Sequence, residues 1–128
     1  MNRFLLVDDD PLYLNVMQDL LKVSFKKATV DLAEDGEEGL LLTRKNEYDL
    51  IIVDYKMPTM NGGDFIKEVM KIDSNIEVPF LIISGFETEA KTIQSEYDCY
   101  LLLKPVRAQD FVKTVKLILS SHKKQKSA

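Results

Sequence analysis

The 128-residue sequence contains one cysteine, one histidine and no tryptophan. A single cysteine, Cys99, excludes an intrachain disulfide, and the sequence lacks the Cys and His pairs that zinc sites use. No apolar run approaches the roughly 20 residues that a membrane-spanning helix needs. The amino-terminal residues also lack the basic, apolar and small-residue layout of a secretory signal peptide. We therefore expect a cytoplasmic protein that does not contact a membrane.

Positive charge is also scarce over most of the chain. Three of the seventeen basic residues lie near the carboxyl end, which leaves residues 1–121 with fourteen basic against 21 acidic residues, a net charge of −7. An acidic body argues against direct nucleic-acid binding. The length and the 45% hydrophobic content suit a single core. We expect one domain over residues 1–121, followed by a solvated basic tail or the start of a linker over residues 122–128.

Four short apolar runs each stop at a polar residue. The runs and the residues that follow them are Phe4–Val7 with Asp8, Leu50–Val53 with Asp54, Phe80–Ile83 with Ser84, and Leu101–Leu103 with Lys104. Such runs predict buried strands of a parallel sheet that is covered by helices on both faces. Because the carboxyl ends of parallel strands share one edge, where open α/β sheets bind ligands, the four polar residues should meet in one site.

Helical periodicity alternates with these runs and completes five β-α units. The predicted strands are Arg3–Val7, Thr29–Ala33, Leu50–Val53, Phe80–Ile83 and Tyr100–Leu103. The predicted helices run from Pro11 to about Val23, from about Glu37 to Lys45, over Asp64–Ile72, and from about Glu87 to Ser95 and Ala108 to Ser121. The fourth helix has a weak apolar pattern, so we expect it to be the least stable. Regular alternation implies right-handed crossovers and a doubly wound α/β sheet.

Carboxylates dominate the predicted site. Asp8, Asp9 and Asp10 follow the first strand and Asp54 follows the third. Carboxylates this close repel each other unless a cation joins them, and Mg²⁺ is the natural occupant because it takes oxygen ligands. For Asp10 alone we favour a helix-capping role, because Pro11 follows it.

Lys104 and Ser84 would add an ammonium group and a hydroxyl donor to the carboxylates. Together these groups form a receptor for a phosphoryl group. An Asp carboxylate beside Mg²⁺ can attack phosphorus to give an acyl phosphate, while the cations neutralise the charge on the phosphoryl oxygens.

The motifs, in this order and at these separations, resemble the receiver domain of two-component response regulators. They are Val7-Asp8-Asp9-Asp10, Asp54 with Met57-Pro58 and Gly62, Ser84-Gly85, and Lys104-Pro105. The resemblance covers residues 3 to about 121. It implies a flavodoxin-like fold with strand order 2-1-3-4-5, in which Asp54 accepts phosphate from a sensor histidine kinase or a phosphotransfer protein.

The resemblance also implies roles for the other site residues. Asp8, Asp9, Asp54 and the backbone carbonyl of Lys56 would hold Mg²⁺ or Mn²⁺. Ser84 and Lys104 would contact the phosphoryl oxygens, and a cis peptide bond would join Lys104 to Pro105. The surface that changes on phosphorylation would be the fourth helix, fifth strand and fifth helix, where it could bind an effector or form a homodimer. Candidate contacts there are Glu89, Lys91, Tyr100, Arg107 and Lys113.

Two positions depart from the family or vary within it. The family usually carries an aromatic residue three positions before the lysine, where this sequence has Leu101. Tyr100 should lie on the opposite face of the sheet, because neighbours along a strand alternate. The second position is Lys56, whose ammonium could pair with Asp54 or restrict a hydrolytic water.

Two other functions remain open. The first is a receiver-like module that signals without phosphate. Leu101 mildly favours this function, whereas the retained acidic and basic residues argue against it. Magnesium-dependent binding of beryllofluoride would distinguish a phosphorylated receiver from such a module. A phosphohydrolase that turns over through an aspartyl phosphate would need a general acid and room for a substrate cap, so we predict a signalling switch rather than an enzyme. Cys99 is interpreted as an apolar filler. His122 is interpreted as a solvated residue, so the sequence does not predict a phosphorelay histidine within this chain.

Overall fold

Five strands and five helices alternate along the chain. The computed structural model describes residues 2–72 and 77–127, with side chains as far as His122. The elements are β1 Arg3–Val7, α1 Pro11–Ser24, β2 Thr29–Ala33, α2 Gly36–Lys45, β3 Leu50–Asp54, α3 Gly62–Ile72, β4 Phe80–Ser84, α4 Glu87–Tyr97, β5 Tyr100–Leu103 and α5 Ala108–Ser127. All five strands pair in parallel in the order 2-1-3-4-5. The predicted doubly wound, flavodoxin-like fold is confirmed.

The sheet is buried on both faces. Leu5, Val7 and Val53 pack with residues of α2 and α3, and α4 adds Ile93, on what we call the α2–α4 face. Their strand neighbours Phe4 and Leu6 pack with α1 and α5 on the α1/α5 face. Successive side chains of a strand point to opposite faces, so a continuous apolar run supplies two cores at once.

Acidic residues begin the first two helices. The Asp10 carboxylate accepts a hydrogen bond from the Leu12 N–H at 3.0 Å, and Pro11 occupies the first position of α1. This confirms the predicted capping role of Asp10. At α2, the Asp35 carboxylate accepts from the Glu38 N–H at 2.8 Å, and the Glu38 carboxylate accepts from the Glu34 N–H at 3.0 Å. These bonds satisfy amide groups that have no partner within a helix.

The carboxyl-terminal helix is longer than its apolar pattern predicts. It continues to Ser127 rather than ending near Ser121. Apolar periodicity indicates a buried face, whereas lysine and glutamine have high helix propensity and can extend a helix without an apolar pattern. His122 is half-buried and its Nε2 atom is covered, so this side chain is only partly solvated, where the sequence predicts a solvated residue. Whether the side chains beyond it are solvated lies outside the described residues, and the domain boundary stays a prediction.

Cys99 is buried, and burial raises the pKa of its thiol to about 11, in keeping with a packing role. Within residues 2–72 and 77–127, no helix is both long and apolar enough to cross a membrane.

Candidate functional site

The sheet order brings four polar strand ends side by side. β1 pairs with β3, β3 with β4, and β4 with β5. Asp8 and Lys104 directly follow their strands, while Asp54 and Ser84 are the last residues of theirs. The structure therefore places all four residues on the same edge, as the sequence predicts.

Three carboxylates form the acidic part of the site. One oxygen each from Asp8, Asp9 and Asp54 lies within 4.8 Å of the others, with Asp8 and Asp54 buried and Asp9 exposed. The Asp8 Oδ1 atom accepts a hydrogen bond from the Asp10 N–H at 3.0 Å. Its Oδ2 atom is buried and has no hydrogen-bond partner among the described residues. An unpaired buried oxygen is costly, so this group fits a cation ligand.

Burial shifts the acid strength of both buried carboxylates. It raises the pKa of Asp8 to about 6, against the hydrogen bond from Asp10 and with a further increase from the charge of Asp54. Burial also raises the pKa of Asp54, while the hydrogen bond and charge of Lys104 oppose the increase. Negative charge in this site is therefore under-compensated by the protein, which favours binding of a cation.

Lys104 supplies the positive charge. Its Nζ atom lies 2.7 Å from Asp54 Oδ1 and 5.3 Å from the centroid of the Tyr13 ring. Burial alone would lower the pKa of Lys104, but the hydrogen bond and charge of Asp54, with the charge of Asp8, raise it. The ammonium group therefore stays protonated beside the carboxylate. The Lys104–Pro105 peptide bond is cis, as the resemblance implies.

The Ser84 side chain is almost fully buried and is held by the loop that follows it. Its Oγ atom accepts a hydrogen bond from the Phe86 N–H at 2.8 Å and lies 3.4 Å from the Phe86 carbonyl oxygen. The backbone of β4 is tied to the lysine as well, because the Lys104 N–H donates to the Ser84 carbonyl at 2.8 Å. A small movement of the residues before α4 would therefore move the Ser84 hydroxyl.

Lys56 makes a contact that sequence reasoning missed. Its Nζ atom lies 4.9 Å from the centroid of the Phe86 ring, whereas the ion pair of Asp54 is made by Lys104. A cation over an aromatic face is attracted by the ring quadrupole. No sequence motif contains both residues 56 and 86, so their contact can be identified only from the folded structure. The metal-binding role of the Lys56 backbone carbonyl stays a prediction.

The loop between β3 and α3 returns close to the buried carboxylate. The Gly62 N–H donates to the Tyr55 carbonyl at 2.7 Å, and a Cβ atom on Gly62 would lie 3.0 Å from the Asp54 carbonyl oxygen. Thr59 has a φ of 65°, a left-handed conformation that is strained for a β-branched residue. The Met60 N–H donates to the Pro58 carbonyl at 2.7 Å across it.

Leu101 and Tyr100 lie on opposite faces of the sheet, as alternation predicts. Leu101 packs on the α2–α4 face and Tyr100 on the α1/α5 face. Tyr100 therefore does not take the place of the missing aromatic side chain. The other four candidate contacts are exposed, namely Glu89, Lys91, Arg107 and Lys113. Lys91 is paired with Glu87 at 2.7 Å on the surface of α4.

The chain matches known proteins over nearly its whole length. Residues 4–116 match the family model described as "Response regulator receiver domain". The cell cycle transcriptional regulator CtrA of Caulobacter vibrioides is 30% identical over 94% of this chain, and the two-component response regulator ORR26 of Oryza sativa is 32% identical over 84%. The chain spans 52% and 18% of the lengths of these two relatives.

The structural comparison agrees. The chemotaxis protein CheY4 of Vibrio cholerae superimposes with a TM-score of 0.83 at 28% identity, covering 92% of this chain and 98% of that structure. Sequence motifs, strand order and this likeness concern the same residues of the chain. The chain belongs to the response regulator receiver domain family.

Proposed function

We propose that this receiver domain is a phosphorylation-dependent switch in which Asp54 accepts a phosphoryl group from a histidine kinase or a phosphotransfer protein. One observation carries the proposal. The buried Asp54 carboxylate has an ammonium group at 2.7 Å and two further carboxylates with an oxygen atom within 4.8 Å of its own. A nucleophile close to both a cation and a prospective metal site suits phosphoryl transfer.

The proposed reaction is a transfer to oxygen. An ionised Asp54 oxygen attacks phosphorus, and an O–P bond forms as the bond between phosphorus and the leaving group breaks. The leaving group keeps the electron pair; a histidine nitrogen of the donor protein then takes up a proton from solvent, and an acyl phosphate remains on Asp54. The Lys104 ammonium and the Ser84 hydroxyl would donate hydrogen bonds to the phosphoryl oxygens, where negative charge is concentrated.

A divalent cation, Mg²⁺ or Mn²⁺, would be held by Asp8, Asp9 and Asp54, with the Lys56 backbone carbonyl as a further ligand. The buried Oδ2 atom of Asp8, which has no hydrogen-bond partner in the described part of the chain, supports this assignment. When bound, such a cation neutralises negative charge on the transferred group. Asp8 and Asp9 would bind and orient the cation, whereas Asp54 alone would form the covalent bond to phosphorus.

Phosphorylation would change the charge at Asp54 from about −1 toward about −2 and add acceptor oxygens. The Ser84 hydroxyl and the Lys104 ammonium would then move toward the phosphoryl group and shift a pre-existing equilibrium. The responding surface would be α4, β5 and α5, where Glu89, Lys91, Tyr100, Arg107 and Lys113 would contact an effector or a second copy of the chain. The acidic body favours a protein partner over nucleic acid.

Intact-protein mass spectrometry after incubation with Mg²⁺ and acetyl phosphate tests the phosphoacceptor. We expect the wild type to gain the mass of one phosphoryl group and Asp54→Asn to gain none, because the amide cannot act as the nucleophile. Asp64→Asn, on the exposed start of α3, is the matched control and should be modified like the wild type. A folded wild type that stays unmodified, or an Asp54→Asn variant modified at the wild-type rate, would contradict the proposal.

A further inference from the structure

Tyr13 stands beside the charged groups of the site, although no motif includes it. It is the third residue of α1 and packs, half-buried, against the α1/α5 face of the sheet. Its ring centroid lies 5.3 Å from Lys104 Nζ, the atom that lies 2.7 Å from Asp54 Oδ1. The ammonium group of Lys104 thus has a carboxylate as one neighbour and an aromatic ring as the other.

The charges of the site act on Tyr13 in return. Burial raises the pKa of the Tyr13 phenol, the Lys104 charge opposes this, and the charges of Asp8 and Asp54 increase it further. The side chain therefore shares its surroundings with three charged groups of the site. The negative face of an aromatic ring attracts a cation within about 6 Å of its centroid, so the ring and the ammonium group stabilise each other.

The ion pair with Asp54 alone does not fix the position of the Lys104 ammonium group, because the lysine side chain is long and partly exposed. Its side chain has a relative exposure of 40%, and a lysine ammonium is strongly hydrated and moves on a flexible four-carbon chain. Once Asp54 carries a phosphoryl group, the ammonium must leave the carboxylate oxygen for a phosphoryl oxygen. Contact with a ring face tolerates such a displacement better than a directional hydrogen bond does.

We propose that Tyr13 is a positioning residue for Lys104, and that its ring keeps the ammonium group at the mouth of the site before and after phosphoryl transfer. This inference rests on the proposed phosphoacceptor role of Asp54. It assigns the effect to the aromatic ring rather than to the phenol hydroxyl, since the ring is the part that faces the ammonium group.

The test compares phosphorylation rates with acetyl phosphate and Mg²⁺. We expect Tyr13→Leu to react about two- to five-fold more slowly than the wild type, the size expected for a partly exposed cation–ring contact. Tyr13→Phe keeps the ring and should stay close to the wild-type rate. Leu12→Ala, at a neighbouring position with 72% exposure, is the control for a general disturbance of α1 and should react like the wild type.

A double-mutant cycle separates positioning from a purely structural role. In a Lys104→Met background the ring has no ammonium group to hold, so Tyr13→Leu should cause no further loss of rate. The inference would be overturned if Tyr13→Leu were phosphorylated at the wild-type rate, or if Tyr13→Phe lost as much rate as Tyr13→Leu. It would also be overturned if the effects of Tyr13→Leu and Lys104→Met on the rate were fully additive.

A nuclear magnetic resonance measurement distinguishes this inference from the proposed function. The ring should shift the Lys104 ε-methylene protons upfield in the wild type and in Tyr13→Phe, and the shift should disappear in Tyr13→Leu. An unmodified wild type that shows the ring shift would overturn the phosphoacceptor proposal and the role of Tyr13 in it, while leaving the contact itself intact. Absence of the ring shift would overturn the inference alone.

Discussion

Asp8 holds a negative charge in a place that disfavours it. The side chain is only 2% exposed, and burial raises its pKa from 3.8 to about 6. Because the pKa is higher in the folded state than in the unfolded chain, the stability that the protonated group contributes is fully present below about pH 4 and is lost as the pH rises through 6. At neutral pH, without a cation, this carboxylate opposes folding.

Replacing that charge should stabilise the protein. We expect Asp8→Asn to increase the free energy of unfolding at neutral pH by about 1 to 3 kcal/mol, since each pKa unit corresponds to about 1.4 kcal/mol. The asparagine oxygen can still accept the hydrogen bond that the Asp10 N–H now donates. Urea denaturation without divalent cations measures the change, and the exposed Asp9→Asn is the control with a smaller effect. An Asp8→Asn variant less stable than the wild type would contradict this account.

The same carboxylate should make cation binding depend on pH. A protonated Asp8 cannot act as a metal ligand, so we expect the affinity for Mg²⁺ to fall as the pH is lowered through about 6. Following the amide resonances of residues near Asp8 during Mg²⁺ titrations between about pH 5 and 8 measures this dependence. An affinity that does not change across this range would show that Asp8 is not a ligand.

The positions of Asp54 and Lys104 can be predicted from the sequence because each lies at the end of a buried strand. The end of such a strand can be recognised from the local pattern of apolar and polar residues alone. The sequence does not locate the contacts of Tyr13 or Lys56. These depend on the direction of side chains that meet across elements distant in the chain, at Lys104 and Phe86. Neither contact has a local signature, because an aromatic residue next to a core position is ordinarily read as packing.

At the scale of elements, the start of α3 is fixed by its approach to β3. A Cβ atom on Gly62 would meet the backbone of Asp54 and Tyr55 at 3.0 and 3.1 Å, and backbone atoms cannot move aside as a side chain can. We expect Gly62→Ala to destabilise the fold by about 1 to 3 kcal/mol and to slow phosphorylation of Asp54, because the helix must shift away from the strand end.

Gly85 is the matched control for this substitution. It lies next to Ser84 in the same region, but an added Cβ would meet nothing within 4 Å. We expect Gly85→Ala to leave stability unchanged or to increase it by up to about 1 kcal/mol, because alanine reduces the freedom of the unfolded chain. Thermal unfolding of both variants gives the comparison. Equal destabilisation by the two alanines would contradict the role assigned to the Gly62 approach.

Helices were predicted best where one face is buried. The stripe of α5, which includes Phe111, Val115 and Ile118, predicts the helix but not its end, since the sequence from His122 to Ser127 contains no apolar residue to continue the stripe. The opposite case is α4, whose only fully buried residue is Ala90 and whose first turn has no side-chain cap. Its low stability relative to the other helices stays a prediction, because packing rather than pattern decides it.

For the whole molecule, strand order is what converts separate residues into a site. Because β1, β3, β4 and β5 are consecutive neighbours, their polar ends follow one another along a single edge, while β2 lies outside this group. The alternation of strands and helices was enough to predict the two-sided sheet. It could not give side-chain geometry at the edge, because loops such as the one between β3 and α3 are shaped by contacts that only the assembled fold provides.

Cation binding at this edge should stabilise the whole domain, since a ligand that binds only the folded state shifts the unfolding equilibrium. At Mg²⁺ concentrations about ten times the dissociation constant, we expect a gain of about 1.4 kcal/mol in the free energy of unfolding. Thermal unfolding with Mg²⁺ and with a chelator measures it. Asp8→Asn should lose this gain; equal Mg²⁺ stabilisation of the variant and the wild type would place the cation elsewhere.

At Thr59, a substitution by glycine should increase stability, although glycine usually lowers it by adding conformational freedom to the unfolded chain. A left-handed β-branched residue stores roughly 1 to 3 kcal/mol of strain, which exceeds the roughly 0.5 to 1 kcal/mol that glycine adds through the entropy of the unfolded chain. Thr59→Gly should therefore raise the melting temperature, whereas the same substitution inside a strand would lower it. The loop beside Asp54 thus keeps a backbone conformation at Thr59 that costs free energy.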